Sequence, residues 1–310
     1  MARTSPHLVF MGSPEFALPT LRLLAANYSL AGVVTQPDQP AGRGRVLTPP
    51  PVKLLALELG LPVIQPRRLR EPDAMAQLKA WQPDLIVVAA FGQILRPEVL
   101  DLPHFGCLNV HSSLLPRWRG AAPIQAAILH GDAETGVTIM RMDAGVDTGP
   151  MLSQRAIPIS TEDTAGTLSH ILAELGAQLL LETLSGYLGG TILPIPQDNS
   201  EPTYAPLLKK ENGLLDFTQP AEALARRVRA YNPWPGTYTL WEGQILKIHR
   251  AHTAGINSEP APAPGARLVH QGLPAIVAAD CLLVLDEVQP AGKKIMPGNA
   301  FLQGARDWMT

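Results

Sequence analysis

Residues 107–127 read CLNVHSSLLPRWRGAAPIQAA. The alternating, mostly apolar run 106–110 predicts a short strand, which ends by delivering Asn109 and His111. Ser112, Ser113 and Pro116 then break the chain into a turn, since hydroxyl and proline side chains favour turns over a continuing ladder. A basic, aromatic segment follows, Arg117-Trp118-Arg119-Gly120, and Ala121-Ala122-Pro123 opens a helix. Open α/β sheets hold their ligands beyond the carboxyl ends of the strands. An amide and an imidazole at such an end therefore point to an α/β fold and to its candidate site.

Upstream, the pattern predicts strands at 7–11, 30–35, 62–64 and 85–90, alternating with helices at 20–26, 52–59, 73–81 and 97–102. In the turn 12–15, Ser13 is placed as N-cap and Pro14 as first helical residue. Pro19 is read as an interruption that delays the regular helix to Thr20. Near-continuous apolar strands separated by helices indicate a parallel sheet covered on both faces. Right-handed crossovers then bring the carboxyl ends of the strands, with His111, to one edge. The first turn lacks GxGxxG, so the sheet is Rossmann-like without the dinucleotide site.

Residues 36–51, QPDQPAGRGRVLTPPP, are long for a strand-to-helix connection. Arg43 and Arg45 stand among glycines there, on either a solvated surface loop or an arm for an anionic partner.

Downstream, strands are expected at 136–142 and 151–159, joined by the turn 143–150. A helix begins near Ser160 and buries Leu168, Ile171, Leu172, Leu175 and Leu179 at helical spacing. Residues 194–207 have the composition of a linker. Beyond it lie an amphipathic helix at 221–230, carrying Arg226, Arg227 and Arg229, and short strands spaced as in a small antiparallel barrel. The expected organisation is a Rossmann-like parallel-sheet domain over 1–193, the linker 194–207, and an OB-like β-barrel domain over 208–310.

An apolar fraction of 46% and a charged fraction of 17% in 310 residues suit folded domains with full cores. The 31 prolines are about twice the usual ~5% and stand largely at element ends, as rigid loops. A net charge of −2 excludes a protein that coats nucleic acid by bulk charge. The asymmetry is weak: residues 208–310 hold 11 Lys/Arg against 9 Asp/Glu, the remainder 14 against 18. Cys107 and Cys281 read as free buried thiols of a reducing compartment. No apolar run approaches the ~20 residues that cross a bilayer, and 8–11 is too short for a secretory core. The expectation is a cytoplasmic protein with no membrane partner. No metal-ligand spacing occurs among the cysteines and the eight histidines.

Asn109 and His111 are two apart on a strand and leave the same face. Asp147, in a glycine-bearing turn after another strand, is the carboxylate best placed to join them. An amide and an imidazole can stabilise an oxyanion while a carboxylate orients the imidazole or takes up a proton, which suits acyl-type transfer. The same residues also fit a structural role, as a hydrogen-bonded histidine at a strand end and an aspartate capping its turn. No GxSxG surrounds Ser112 or Ser113, so a serine hydrolase has little support.

The run Asn109-Val110-His111-Ser112-Ser113-Leu114-Leu115-Pro116, continued by Arg119-Gly120-Ala121-Ala122-Pro123-Ile124 and by Asp147-Thr148-Gly149, resembles the signature of the folate-dependent formyltransferases. The likeness extends along the chain through Gly12-Ser13-Pro14-Glu15-Phe16, the loop from Gln36 to Gly44, Asn232-Pro233-Trp234-Pro235 and Gln289-Pro290-Ala291-Gly292-Lys293-Lys294. Ser112 stands where the family often has Gly or Ala, a change between small residues. The resemblance implies formyl transfer from 10-formyltetrahydrofolate, a cosubstrate, to methionine esterified to initiator tRNA, without a metal. It assigns catalysis to Asn109, His111 and Asp147 and the folate lining to Ser113, Leu114, Leu115 and Pro116. Contacts to tRNA would come from Arg43, Arg45, Lys210, Lys293 and Lys294. A monomer is expected. An amino-sugar nucleotide is the rival acceptor, and a catalytically idle folate- or RNA-binding protein the rival class.

Overall fold

The computed structural model describes residues 6–41, 44, 46–256, 260 and 262–309. The chain divides into two compact units. The first comprises Met1–Gly120, Thr135–Ile157 and Ser169–Tyr204, and the second Ala121–Glu134, Pro158–Leu168 and Ala205–Thr310.

In chain order the strands up to residue 205 are β1 (His7–Gly12), β2 (Ser29–Val34), β3 (Gln39–Ala41), β4 (Val46–Thr48), β5 (Val63–Ile64), β6 (Leu85–Ala89), β7 (Cys107–His111), β8 (Arg119–Gly120), β9 (Glu134–Arg141), β10 (Met151–Pro158) and β11 (Tyr204–Ala205). Seven form one sheet, in the order β10-β9-β7-β6-β1-β2-β5. The five from β7 to β5 pair in parallel. Every residue of β6 is buried, as expected of a strand covered on both faces. One side of this core gathers Val9, Met11, Val34, Leu78, Ile86, Val88 and Phe91.

The parallel order ends at β7. β9 runs antiparallel to it, placing Thr138 opposite His111 and Met140 opposite Asn109. Alternating side chains read the same in either strand direction, so this reversal leaves no mark in the sequence pattern.

The helices are α1 (Leu18–Asn27), α2 (Pro51–Glu58), α3 (Pro72–Trp81), α4 (Pro97–Leu100), α5 (Pro123–Leu129), α6 (Ala165–Leu188), α7 (Ala221–Ala230) and α8 (Gly298–Gly304). Two expectations at the first helix are corrected. Pro19 sits in the first turn of α1, where its missing N–H costs nothing, so it does not interrupt the helix. Ser13 does not cap a helix; its hydroxyl accepts the Gln36 amide at 3.1 Å and the Thr35 hydroxyl at 3.3 Å. In α6, Leu168, Leu172 and Leu179 are buried as expected, whereas Ile171 is 48% exposed.

The long loop after β2 contains the small antiparallel hairpin β3–β4. Its base is clamped by Asp38, whose carboxylate takes the Lys53 ammonium at 2.8 Å and the Gln65 amide at 2.7 Å. These hydrogen bonds, Gln65 first, hold the Asp38 carboxyl below the usual carboxylate range.

In the second unit, β12 (Thr237–Trp241), β13 (Gln244–Ala254), β14 (Arg267–His270), β15 (Leu273–Val277), β16 (Leu282–Pro290) and β17 (Met296–Pro297) form an antiparallel sheet, the strand direction expected of the small barrel. The register of β13 slips on both sides of Arg250, the kind of irregularity that bends a strand. Leu224 and Val228 of α7, Ile248, Leu283 and Leu285 of the sheet, and Phe301 and Trp308 share one core.

The helix arginines serve this unit internally. Arg226 Nε donates to the Leu129 carbonyl and Arg229 Nη1 to the Asp163 carbonyl, holding segments 121–134 and 158–168. Burial lowers the pKa of Arg229.

Candidate active site

β7 delivers the site. Its ladder to β9 fixes the pleat, so Asn109 and His111 emerge on one face, with His111 only 5% exposed. Each nitrogen of the imidazole faces an oxygen. Nε2 lies 3.1 Å from the Trp118 carbonyl, and Nδ1 lies 3.7 Å from Asp147 Oδ2. A carbonyl only accepts, so Nε2 carries a hydrogen, and Nδ1 is the nitrogen that faces the carboxylate.

Asp147 reaches the site from the turn between β9 and β10. The turn is built by Asp143, whose Oδ1 accepts the Gly145 amide at 3.0 Å and the Thr148 hydroxyl at 2.6 Å. Gly149 cannot carry a side chain, because a Cβ there would strike the Arg141 carbonyl. Asp147 itself has φ +52 and Trp118 φ +62. A left-handed backbone at a residue with a Cβ costs about 1–3 kcal/mol and persists only where the surroundings over-determine it.

Asp147 Oδ2 accepts the Gly120 amide at 2.8 Å, and Oδ1 faces Asn109 Nδ2 at 3.5 Å. The separations to Asn109 and His111 are long for strong hydrogen bonds. Both donors can therefore turn to a third oxygen, as catalytic donors often do only once substrate is bound. Two N–H donors converging with a carboxylate at a sheet edge can stabilise an oxyanion and manage one proton.

The structure thus brings Asn109, His111 and Asp147 together, across 38 residues of sequence. Ser113 and Leu115, expected to line the folate site, are buried. The Ser113 hydroxyl donates to the Arg117 carbonyl at 2.6 Å, and Thr138 joins Ser113 and Leu115 through their backbones. Leu114 and Pro116 are half-buried. Lys210, Lys293 and Lys294 are exposed in the second unit. Arg43 and Arg45 lie outside the described residues.

Sequence reasoning missed Arg119 and Gln197, both nearly fully buried. Arg119 Nε and Nη2 donate to Gln197 Oε1 at 3.0 and 2.8 Å. Gln197 Nε2 donates to the carbonyls of Asp147 and Gly149 at 2.8 and 2.7 Å. The expected linker thus contributes directly to the wall behind the site. Nothing in its polar composition marks Gln197, while an arginine bounded by Trp118 and Gly120 could have been suspected of burial.

A cavity of about 570 Å³ opens at the loop after β6. β6 is the parallel neighbour of β7, so this loop leaves the same sheet edge as His111. Arg67, Arg68, Arg70, Lys79 and Arg96 line it, with Glu98 and the apolar Leu69, Met75, Ile94 and Val99. The volume suits a ligand of cofactor size, and five cations against one acid suit an anionic one. Cys107, at the start of β7, takes no part: burial pushes its thiol up to about 12, so it stays protonated. Among the described residues no three His, Cys, Asp or Glu side chains cluster as a metal site.

Known proteins match along nearly the whole chain. Residues 9–184 match the family described as formyl transferase, and residues 207–306 its C-terminal domain. The chain is 48% identical to the methionyl-tRNA formyltransferase of Myxococcus xanthus over 301 residues, covering 96% of this chain and 95% of that one. It is 49% identical to that of Roseiflexus castenholzii over 305 residues, covering 97% of each. Among solved structures, the sugar 3N-formyl transferase WlaRD, with dTDP and 5-N-formyl-THF, aligns with a TM-score of 0.67 at 18% identity, over 94% of this chain and all of that one. HypX from Aquifex aeolicus, in complex with tetrahydrofolic acid, aligns with a TM-score of 0.63 at 18% identity, over 97% of this chain and 47% of that one. At such identities the structures speak for the fold alone.

Proposed function

The chain belongs to the formyl transferase family, in its methionyl-tRNA formyltransferase branch, and on that premise we infer that it formylates methionyl-initiator tRNA. It moves the formyl group of 10-formyltetrahydrofolate onto the α-amino group of methionine. What carries the assignment of roles within this site is the convergence of Asn109, His111 and Asp147 at the carboxyl end of β7.

In the proposed mechanism the neutral amine attacks the formyl carbon, and the formyl oxygen takes on negative charge. Asn109 Nδ2 and His111 Nδ1 turn their hydrogens to that oxygen. Asp147 keeps the imidazole charged or helps to remove the amine's proton. The bond to the carrier's N10 then breaks, and N10 takes the proton that the amine has lost. Binding places the amine and the formyl carbon in contact, which itself removes much of the barrier.

The folate is a cosubstrate. The turn Ser113-Leu114-Leu115-Pro116 forms one wall of its site, and the buried Ser113 and Leu115 hold that wall rigid. The cationic cavity at Arg67, Arg68, Arg70, Lys79 and Arg96 receives the carrier's carboxylate tail. The reaction needs no metal.

The division of labour assigns formyl transfer to residues 1–193 and tRNA docking to 208–310, joined by 194–207. Lys210, Lys293 and Lys294 meet tRNA phosphates there, and such contacts supply most sequence-independent affinity. Arg43 and Arg45, outside the described residues, also contact the tRNA. The enzyme works in the cytoplasm as a monomer; no helix among the described residues is long and apolar enough to cross a membrane.

The test offers methionyl-initiator tRNA and an amino-sugar nucleotide in parallel, with 10-formyltetrahydrofolate as donor. Formyl transfer to the tRNA alone is expected. Transfer to the sugar alone would reassign the acceptor, and transfer to neither would support an idle binding protein.

A further inference from the structure

We propose that Gln197 and Thr203 are positioning residues of the reaction, because the segment between them holds the two left-handed residues that face the two nitrogens of His111. The inference rests on the assignment of His111 and Asp147 to formyl transfer. Trp118 presents its carbonyl to Nε2 and Asp147 its carboxylate to Nδ1, and both have positive φ. Such backbones do not hold themselves; something must pin each one.

Both pins come from one segment. The Thr203 hydroxyl accepts the Trp118 amide at 2.8 Å, and the Thr203 carbonyl accepts the Arg119 amide at 2.9 Å. Gln197 Nε2 bridges the carbonyls of Asp147 and Gly149. The Gln197 side chain is itself immobilised, since its oxygen takes two hydrogens from Arg119. Arg119 Nη2 in turn reaches Asn199 Oδ1 at 2.7 Å. Every polar atom of the Gln197 side chain is thus engaged: two donors on the aspartate loop and one acceptor on a buried guanidinium.

The chemistry specifies an amide at 197. A carboxylate of the same size would still accept from Arg119. It would offer no hydrogens to the two carbonyls and would turn a negative charge towards them. At 203 the requirement is a hydroxyl acceptor, which serine meets and valine does not.

The experiment measures kcat and KM for both substrates, the pH profile of kcat and the thermal midpoint in Gln197→Ala, Gln197→Glu, Thr203→Val and Thr203→Ser, with His111→Ala alongside. A misplacement of about 1 Å can cost ~10²-fold in rate. Gln197→Ala and Gln197→Glu are therefore expected to lose kcat on that order with little change in either KM. The pH profile should shift as the carboxylate beside Nδ1 loses its fixed place. Thr203→Val should be impaired and Thr203→Ser restored.

Wild-type kcat in Gln197→Glu, or losses that merely follow the folded fraction, would overturn the proposal. The same holds for unimpaired turnover in both Gln197→Ala and Thr203→Val. If His111→Ala is impaired while the segment variants are normal, the positioning role alone fails. If His111→Ala turns over normally, the catalytic assignment fails and the proposal with it.

Discussion

Replacing His111 by alanine is expected to lower formyl transfer to methionyl-tRNA by at least ~10²-fold, as removal of one oxyanion donor does in other acyl transfers. The loss should appear in kcat, because the imidazole acts on the charge that develops at the formyl oxygen and not on the resting substrates. The substitution also leaves the Trp118 carbonyl without the Nε2 hydrogen it receives now. Loss of one buried hydrogen bond costs about 0.5–1.5 kcal/mol. The thermal midpoint should therefore fall somewhat, and rates should be compared at temperatures where both proteins are folded. Turnover close to the wild type, measured by formyl transfer to charged initiator tRNA, would remove His111 from the chemistry.

Asp147→Asn is expected to reduce kcat on the order of 10²–10⁴-fold, the range over which positioned acid–base groups contribute. This variant removes the charge while keeping the size of the side chain. Asparagine tolerates a left-handed backbone as aspartate does, so φ +52 imposes no new strain. The carboxylate now accepts at both oxygens, from Gly120 N and from Asn109 Nδ2. A carboxamide has one oxygen, so one of those donors would meet an NH₂ group instead. The negative charge facing His111 Nδ1 disappears as well. Full activity in the Asn variant would mean that the carboxylate only shapes the turn.

Much of this site was legible in the sequence because its first elements are local. A two-residue spacing on a strand is enough to put Asn109 and His111 on one face, and a polar strand end in an α/β pattern is enough to call it a site. The run 85–90 announces a strand buried on both faces, and β6 is one. What was not legible depends on contacts that close over long distances. Arg119 meets Gln197 across 78 residues, and no local pattern distinguishes that glutamine from its exposed neighbours in a stretch that reads as a linker.

The helix at 221–230 shows the same limit from the other side. Its arginines look like a surface for an anion, and only the fold reveals that Arg226 and Arg229 end on carbonyl oxygens. Pro19 misled for a different reason. A proline breaks a helix only in its interior, and whether Leu18 or Thr20 begins the helix is decided by how the chain leaves β1.

The central claim is that His111 and Asp147 act as one unit on the formyl group, and a double-mutant cycle on kcat tests it most directly. Residues that act as a unit are strongly non-additive, since either loss disables the other. Formyl transfer by the His111→Ala/Asp147→Asn protein is therefore predicted to be little slower than by the weaker of the two single variants. If the two losses instead multiply in the double variant, the residues act independently and the proposed unit does not exist.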